Sequence, residues 1–145
     1  MITKVEQPLV LICIFTWLGF VLSISFMEAW IKFRAPGVTL PIGLSIGRLV
    51  FNALNKVEWG FAVVVMIGAV MSNTPILSGR NIFLLIILII LIVQTCWLLP
   101  WLGQRAALYI SGKPVPSSSL HLYFIGVEII KTGCLIISGI SLFKQ

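Results

Sequence analysis

NIFLLIILIILIVQTCWLLP, residues 81–100, decides the fold. From Ile82 to Val93 every side chain is apolar. A helix rises about 1.5 Å per residue, so roughly 20 such residues cover a hydrocarbon core of about 30 Å. A run that is apolar on every side has no face to show to water. It reads as a membrane span. Working outward, 8–27, 59–79 and 129–143 repeat the pattern, the last with an N-terminal extension from Leu120. In lipid the backbone must satisfy its own hydrogen bonds, which leaves helices as the economical structure for such segments. The sequence therefore predicts an all-α, antiparallel four-helix membrane bundle, one domain over 1–145.

Composition agrees. The chain is 59% hydrophobic, and its 145 residues leave no room for a soluble catalytic domain beside the membrane part. Ten Lys and Arg face four acidic residues, for a net charge of +6. Such a balance suits a positive-inside bias and anionic lipid head groups. Nucleic acid is not an expected partner, because no basic stripe projects from a soluble module. Cys13, Cys96 and Cys134 each sit in an apolar run without CxxC spacing, so they read as buried thiols and not as a disulfide or zinc framework. The first run is longer than a signal-peptide core, and Ser23-Ile24-Ser25 is a poor cleavage site, so 8–27 reads as a retained helix.

The segment 40–56 is only partly apolar. Arg48, Asn52 and Asn55 fall within roughly 40° of one face at 100° per residue. One long helix should run from this amphipathic start through Glu58 into the second span. The link 72–80 is short and predicts that the helices on either side are antiparallel neighbours. The third span should end near Pro100–Arg105. Ser117, Ser118 and Ser119 offer caps for a last helix that carries His121, Glu128 and Lys131. Glu28 and Lys32 stand four apart in the order that favours an ion pair. Thr16, Gly19 and Ser23 on the first helix, and Gly126, Gly133 and Gly139 on the last, read as sites of close helix approach. Two short echoes, Trp17-Leu18-Gly19 with Trp101-Leu102-Gly103 and Val57-Glu58 with Val127-Glu128, are spaced very differently in the two halves and read as chance among so many Leu, Gly and Val residues before they read as a repeated hairpin.

The chemistry concentrates on few residues. There is no Asp, and a charged side chain inside a membrane helix costs several kcal/mol unless it is paired or faces water. Glu58 and Glu128 therefore demand an explanation. One reading is a polar site between the second and fourth helices, built from Arg48, Asn52, Asn55, Glu58, His121 and Glu128. The other is mutual neutralisation at interface depth, with Glu58 on Lys56 or Arg48 and Glu128 on Lys131. A Ser-His-Asp triad is impossible without Asp. A lone His rules out HExxH zinc chemistry and two-His haem ligation within one chain. No phosphate-cradling Gly-Lys loop occurs. No metal or cofactor is expected.

The segment 101–109, Trp-Leu-Gly-Gln-Arg-Ala-Ala-Leu-Tyr, resembles the stretch after the third helix in the small four-helix family typified by transmembrane protein 205 and its bacterial relatives. Trp30-Ile31-Lys32-Phe33-Arg34-Ala35-Pro36 and Gly47-Arg48-Leu49-Val50-Phe51-Asn52 match that family's first hairpin in outline. The link between the last two helices is shorter here. The resemblance implies an integral membrane protein loosely tied to transport or drug tolerance, with no established reaction.

The expectation is a non-enzymatic membrane protein acting in transport or as an accessory subunit, with a homo-oligomer or membrane-protein partner. The rivals are a haem- or pigment-binding redox subunit using His121, and a lipid-modifying enzyme with Glu58 or Glu128 as base. Lys32, Arg34, Arg105 and Lys113 in the links, with Arg48 and Lys56 nearby, outnumber Lys4, Arg80 and Lys144. Both termini are therefore expected outside the cytoplasm, in an inner or plasma membrane.

Overall fold

In the computed structural model, residues 4–72 and 79–144 are described. Four helices carry the chain: α1 (Pro8–Arg34), α2 (Leu40–Met71), α3 (Asn81–Ile110) and α4 (Leu120–Ile140). All four are long and apolar enough to cross a bilayer. The chain is thus a multi-pass, all-α membrane bundle. Around the bundle, α1 packs on α2 and α4, and α3 packs on the same two helices. Pairs α1/α3 and α2/α4 are the diagonals. Neighbours run antiparallel: Asn55 of α2 meets Thr95 of α3, while Ala69 lies beside Leu84.

Prolines and glycines set the boundaries. Pro8 and Pro41 stand in the first helical turns of α1 and α2, where the missing N–H leaves no internal bond unmade. Gly37 turns the α1–α2 link with φ +80°. Gly112 closes α3 at φ +69°, with Gly112 N–H donating to the Tyr109 carbonyl at 3.1 Å and Lys113 N–H to that of Leu108 at 3.0 Å. This pair of bonds takes up carbonyls that a helix end otherwise leaves bare. Ser118 Oγ accepts from Leu120 N–H at 3.2 Å, so the cap of α4 comes from Ser118, while Ser119 makes no side-chain cap bond. The ends of the chain meet as a two-residue antiparallel pairing of Lys4–Val5 with Phe143–Lys144.

The third helix runs past the end expected near Pro100–Arg105. It passes through the proline to Ile110. A π-helical turn at Gln94–Leu98 immediately precedes Pro100. Proline cannot donate to the carbonyl four residues back and crowds it, and a wider turn there absorbs both effects. The link between α2 and α3 lies largely outside the described residues.

The core is a dry layer of Ile14, Trp17, Val21, Val65, Ile87, Leu91 and Leu135. Outward faces carry exposed Leu9, Ile12, Val63, Ile67, Ile89, Ile129 and Ile137, as lipid contact requires. The small-residue expectation holds in part only. Thr16, Gly19 and Ser23 are exposed. A Cβ built on Gly19, Gly126 or Gly133 meets nothing within 4 Å, whereas one on Gly139 meets the Phe15 ring. The tight approaches are at Gly43 under Phe33, Gly47 under Lys32 and Gly68 under Val10.

Candidate functional site: a buried charge centre and a vestibule

One residue from each of three helices and two from the fourth meet at mid-depth. Glu58 (α2), Gln94 (α3), Glu128 and Lys131 (α4) and Trp17 (α1) are each no more than 2% exposed. At about 1.5 Å per residue, they lie about 14–20 Å from the helix ends that adjoin the chain termini. Lys131 Nζ donates to Glu58 Oε1, to Glu128 Oε1 at 2.7 Å and to Gln94 Oε1 at 2.9 Å. An ammonium has three protons, and all three are used. Gln94 Nε2 in turn donates to Glu128 Oε1, which fixes the orientation of its amide. Trp17 Nε1 donates to Glu58 Oε1 at 3.0 Å.

Lys131 makes ion pairs with both carboxylates. Two carboxylates and one ammonium leave an excess of one negative charge when all three ionise. Glu128 Oε2 is buried and has no hydrogen-bond partner. An unpaired carboxylate oxygen in a membrane interior is costly.

A second knot lies one residue along α3. Thr95 Oγ1 accepts from Asn55 Nδ2 and from Trp59 Nε1, each at 3.0 Å. Its single proton goes to the Leu91 carbonyl at 2.7 Å, with Asn55 Oδ1 the alternative acceptor at 3.2 Å. Gln94 and Thr95 open the π turn. A widened turn rotates successive side chains relative to an α-helix, and here the two residues serve different networks.

The other expected site residues stand elsewhere. Arg48, Asn52 and His121 line a cavity of about 390 Å³ toward the end of the bundle away from the termini. Asn52 Nδ2 donates to the Arg48 carbonyl at 2.7 Å and does not reach the carboxylates. Glu58 is bound to Lys131 and Trp17, and neither Lys56 nor Arg48 is its partner. So the six-residue site divides in three: Glu58 and Glu128 converge, Asn55 joins Thr95, and Arg48, Asn52 and His121 belong to the cavity. The expected Glu128–Lys131 and Glu28–Lys32 pairs both form, the latter at 3.0 Å.

The cavity has a simple origin. Helix α4 has 21 residues, against 27, 32 and 30 for α1, α2 and α3. The three longer helices overshoot it and enclose a vestibule. Its walls include Phe33, Leu44, Leu99 and Leu102. Phe51 and Phe124, edge to face with centroids 5.2 Å apart, also line it. Phe124 lies one helical turn before Glu128, so this pair stands between the vestibule and the charge centre.

The two Val-Glu pairs bring their carboxylates to the same lysine, but Trp17 is buried and Trp101 is exposed. Comparison with protein-family models, curated proteins and solved structures returns no match.

Proposed function

We propose that this chain is a small non-enzymatic membrane transport protein whose centre, Glu58–Lys131–Glu128, takes up and releases one proton. The observation that carries this reading is the charge count at the centre, together with the partnerless Glu128 Oε2. A proton balances the excess charge directly on an oxygen. A metal cation is disfavoured, because the Lys131 ammonium already lies 2.7 Å from the sister oxygen. Intramembrane ionisable groups on a bundle interior are characteristic of proton and ion paths. The vestibule supplies an approach from one end, and the dry layer around Leu91 and Leu135 closes the other. The resemblance of 101–109 to the transmembrane protein 205 family leans the same way.

The rivals draw less support. As a haem ligand, His121 would need a second ligand from another subunit, and it lies exposed at the vestibule. For lipid chemistry, Glu58 or Glu128 would need a nucleophile. Among the described residues no hydroxyl or thiol bonds to either carboxylate group.

The test is infrared spectroscopy of the reconstituted protein across a pH titration, paired with proton flux into liposomes under an imposed potential. A protonated-carboxyl band should appear, shift in deuterated water and vanish in Glu128→Gln, and flux should fall with it. Absence of that band, or wild-type flux in both Glu58→Gln and Glu128→Gln, rejects the reading.

A further inference from the structure

The vestibule is electrically lopsided. Lys32, Arg48, Arg105 and His121 line it, and no carboxylate does. Glu28 is bound to the lining Lys32, and Glu128 lies behind the Phe51–Phe124 pair. Arg105 spends one nitrogen on the Pro116 carbonyl at 2.6 Å. The Arg48 guanidinium makes no hydrogen bond or ion pair among the described residues, although such a group offers five donors in a fixed fork; only its backbone carbonyl is used, by Asn52. The start of α4 lies at the same cavity, between Ser118 and His121, and its first turn carries no acidic side chain. A helix N-terminus adds partial positive charge and bare amides. The remaining walls are aromatic and aliphatic. A cavity of about 390 Å³ falls in the size range of small-ligand sites.

We infer that the vestibule binds an oxyanion head group, phosphate or carboxylate, held by Arg48 and Arg105, with the first carbons of an attached chain against Phe51 and Phe124. Arginine forks match the two oxygens of such a group. Apolar walls beside the cations favour an amphiphile over a fully hydrated ion. The inference rests on the vestibule and stands independently of proton uptake at the buried centre.

The test uses the full chain in nanodiscs of zwitterionic lipid, titrated by calorimetry with decyl phosphate, decanol, decyltrimethylammonium and inorganic phosphate. Decyl phosphate should bind at one per chain, and neither the alcohol nor the ammonium should bind at that site. Arg48→Gln and Arg105→Gln should each weaken decyl phosphate by about tenfold, and Arg48→Lys should restore part of the loss. Arg48 is exposed and its one hydrogen bond is through the backbone carbonyl, so replacing the side chain should leave the fold intact, which a matching melting profile checks. Displacement of decyl phosphate by inorganic phosphate assigns the head group to a free anion. Retention against inorganic phosphate assigns it to a lipid. Both outcomes support the oxyanion site. Equal binding of decanol, or decyl phosphate affinity unchanged in both glutamine variants, overturns it.

Discussion

Lys131 on α4 reaches Glu58 on α2 across the diagonal of the bundle, 73 positions away in the chain. Adjacent helices are held by packing along their length, whereas the diagonal pair meets at this ammonium and at the Phe51–Phe124 ring contact. The same nitrogen binds Glu128 on its own helix and Gln94 on α3. One side chain therefore couples three of the four helices, and Trp17 adds the fourth through Glu58.

Removing that nitrogen should be severe. Lys131→Met leaves two buried carboxylates without a counter-charge. Breaking a buried pair by deleting one partner costs about 3–5 kcal/mol. The expected outcome is a large loss of thermal stability in detergent. Adding Glu58→Gln and Glu128→Gln to Lys131→Met should recover much of it, because the orphaned charges are then gone. A triple variant no more stable than Lys131→Met would mean that the ammonium acts through packing alone.

The Thr95 knot gives a cleaner comparison. Thr95→Val keeps the shape and removes the acceptor for Asn55 Nδ2 and Trp59 Nε1. A buried donor left unsatisfied costs about 1–3 kcal/mol. Thr95→Ser keeps the hydroxyl and should cost less. Denaturant unfolding of the two variants checks the order; equal stabilities would show that Asn55 and Trp59 find other acceptors.

Much of this was legible in the sequence. Four apolar runs set four helices, since nothing else satisfies the backbone in lipid. Glu58 and Glu128 announced themselves as carboxylates at the edge of such runs, and Lys131 was readable as the i+3 partner of Glu128. Its longer reach to Glu58 was not, because helical spacing orders residues on one helix and says nothing of which faces meet. Gln94 carried a signal, as the one strong polar group within an otherwise apolar span. Trp17 carried none, because a tryptophan in a membrane helix needs no partner until its depth is known. His121 shares a helix face with Glu128 but stands about two turns away along the axis, and Arg48 and Asn52 stand about two to three turns from Glu58. Periodicity reports angle and not depth, which is why one expected site became three.

The glycines reverse an expectation drawn from pattern alone. Gly133→Ala should be neutral or stabilising by up to about 1 kcal/mol, since alanine is the better helix former and a Cβ there meets nothing within 4 Å. Gly68→Ala should destabilise, because its Cβ would drive into Val10 on α1. Melting profiles in one detergent separate the two. A destabilised Gly133→Ala would show that this face packs against another chain and not against lipid.

Orientation is the last expectation, and the structure sharpens its test. Lys32, Arg48 and Arg105 gather at one cavity, and Arg34 and Lys113 belong to the links at the same end of the bundle. The opposite end holds both chain termini, joined through Lys4–Val5 and Phe143–Lys144. Cations near span ends set topology because they resist translocation. The vestibule should therefore open to the cytoplasm, with both termini outside. Single cysteines placed at exposed Ser111 and Ser141, in a background where Cys13, Cys96 and Cys134 are replaced by Ala, report the two ends. A membrane-impermeant thiol reagent added to intact cells should label Ser141→Cys and leave Ser111→Cys untouched until the membrane is opened. Labelling of Ser111→Cys from outside would invert the assignment, and the vestibule would then draw its ligand from the other face.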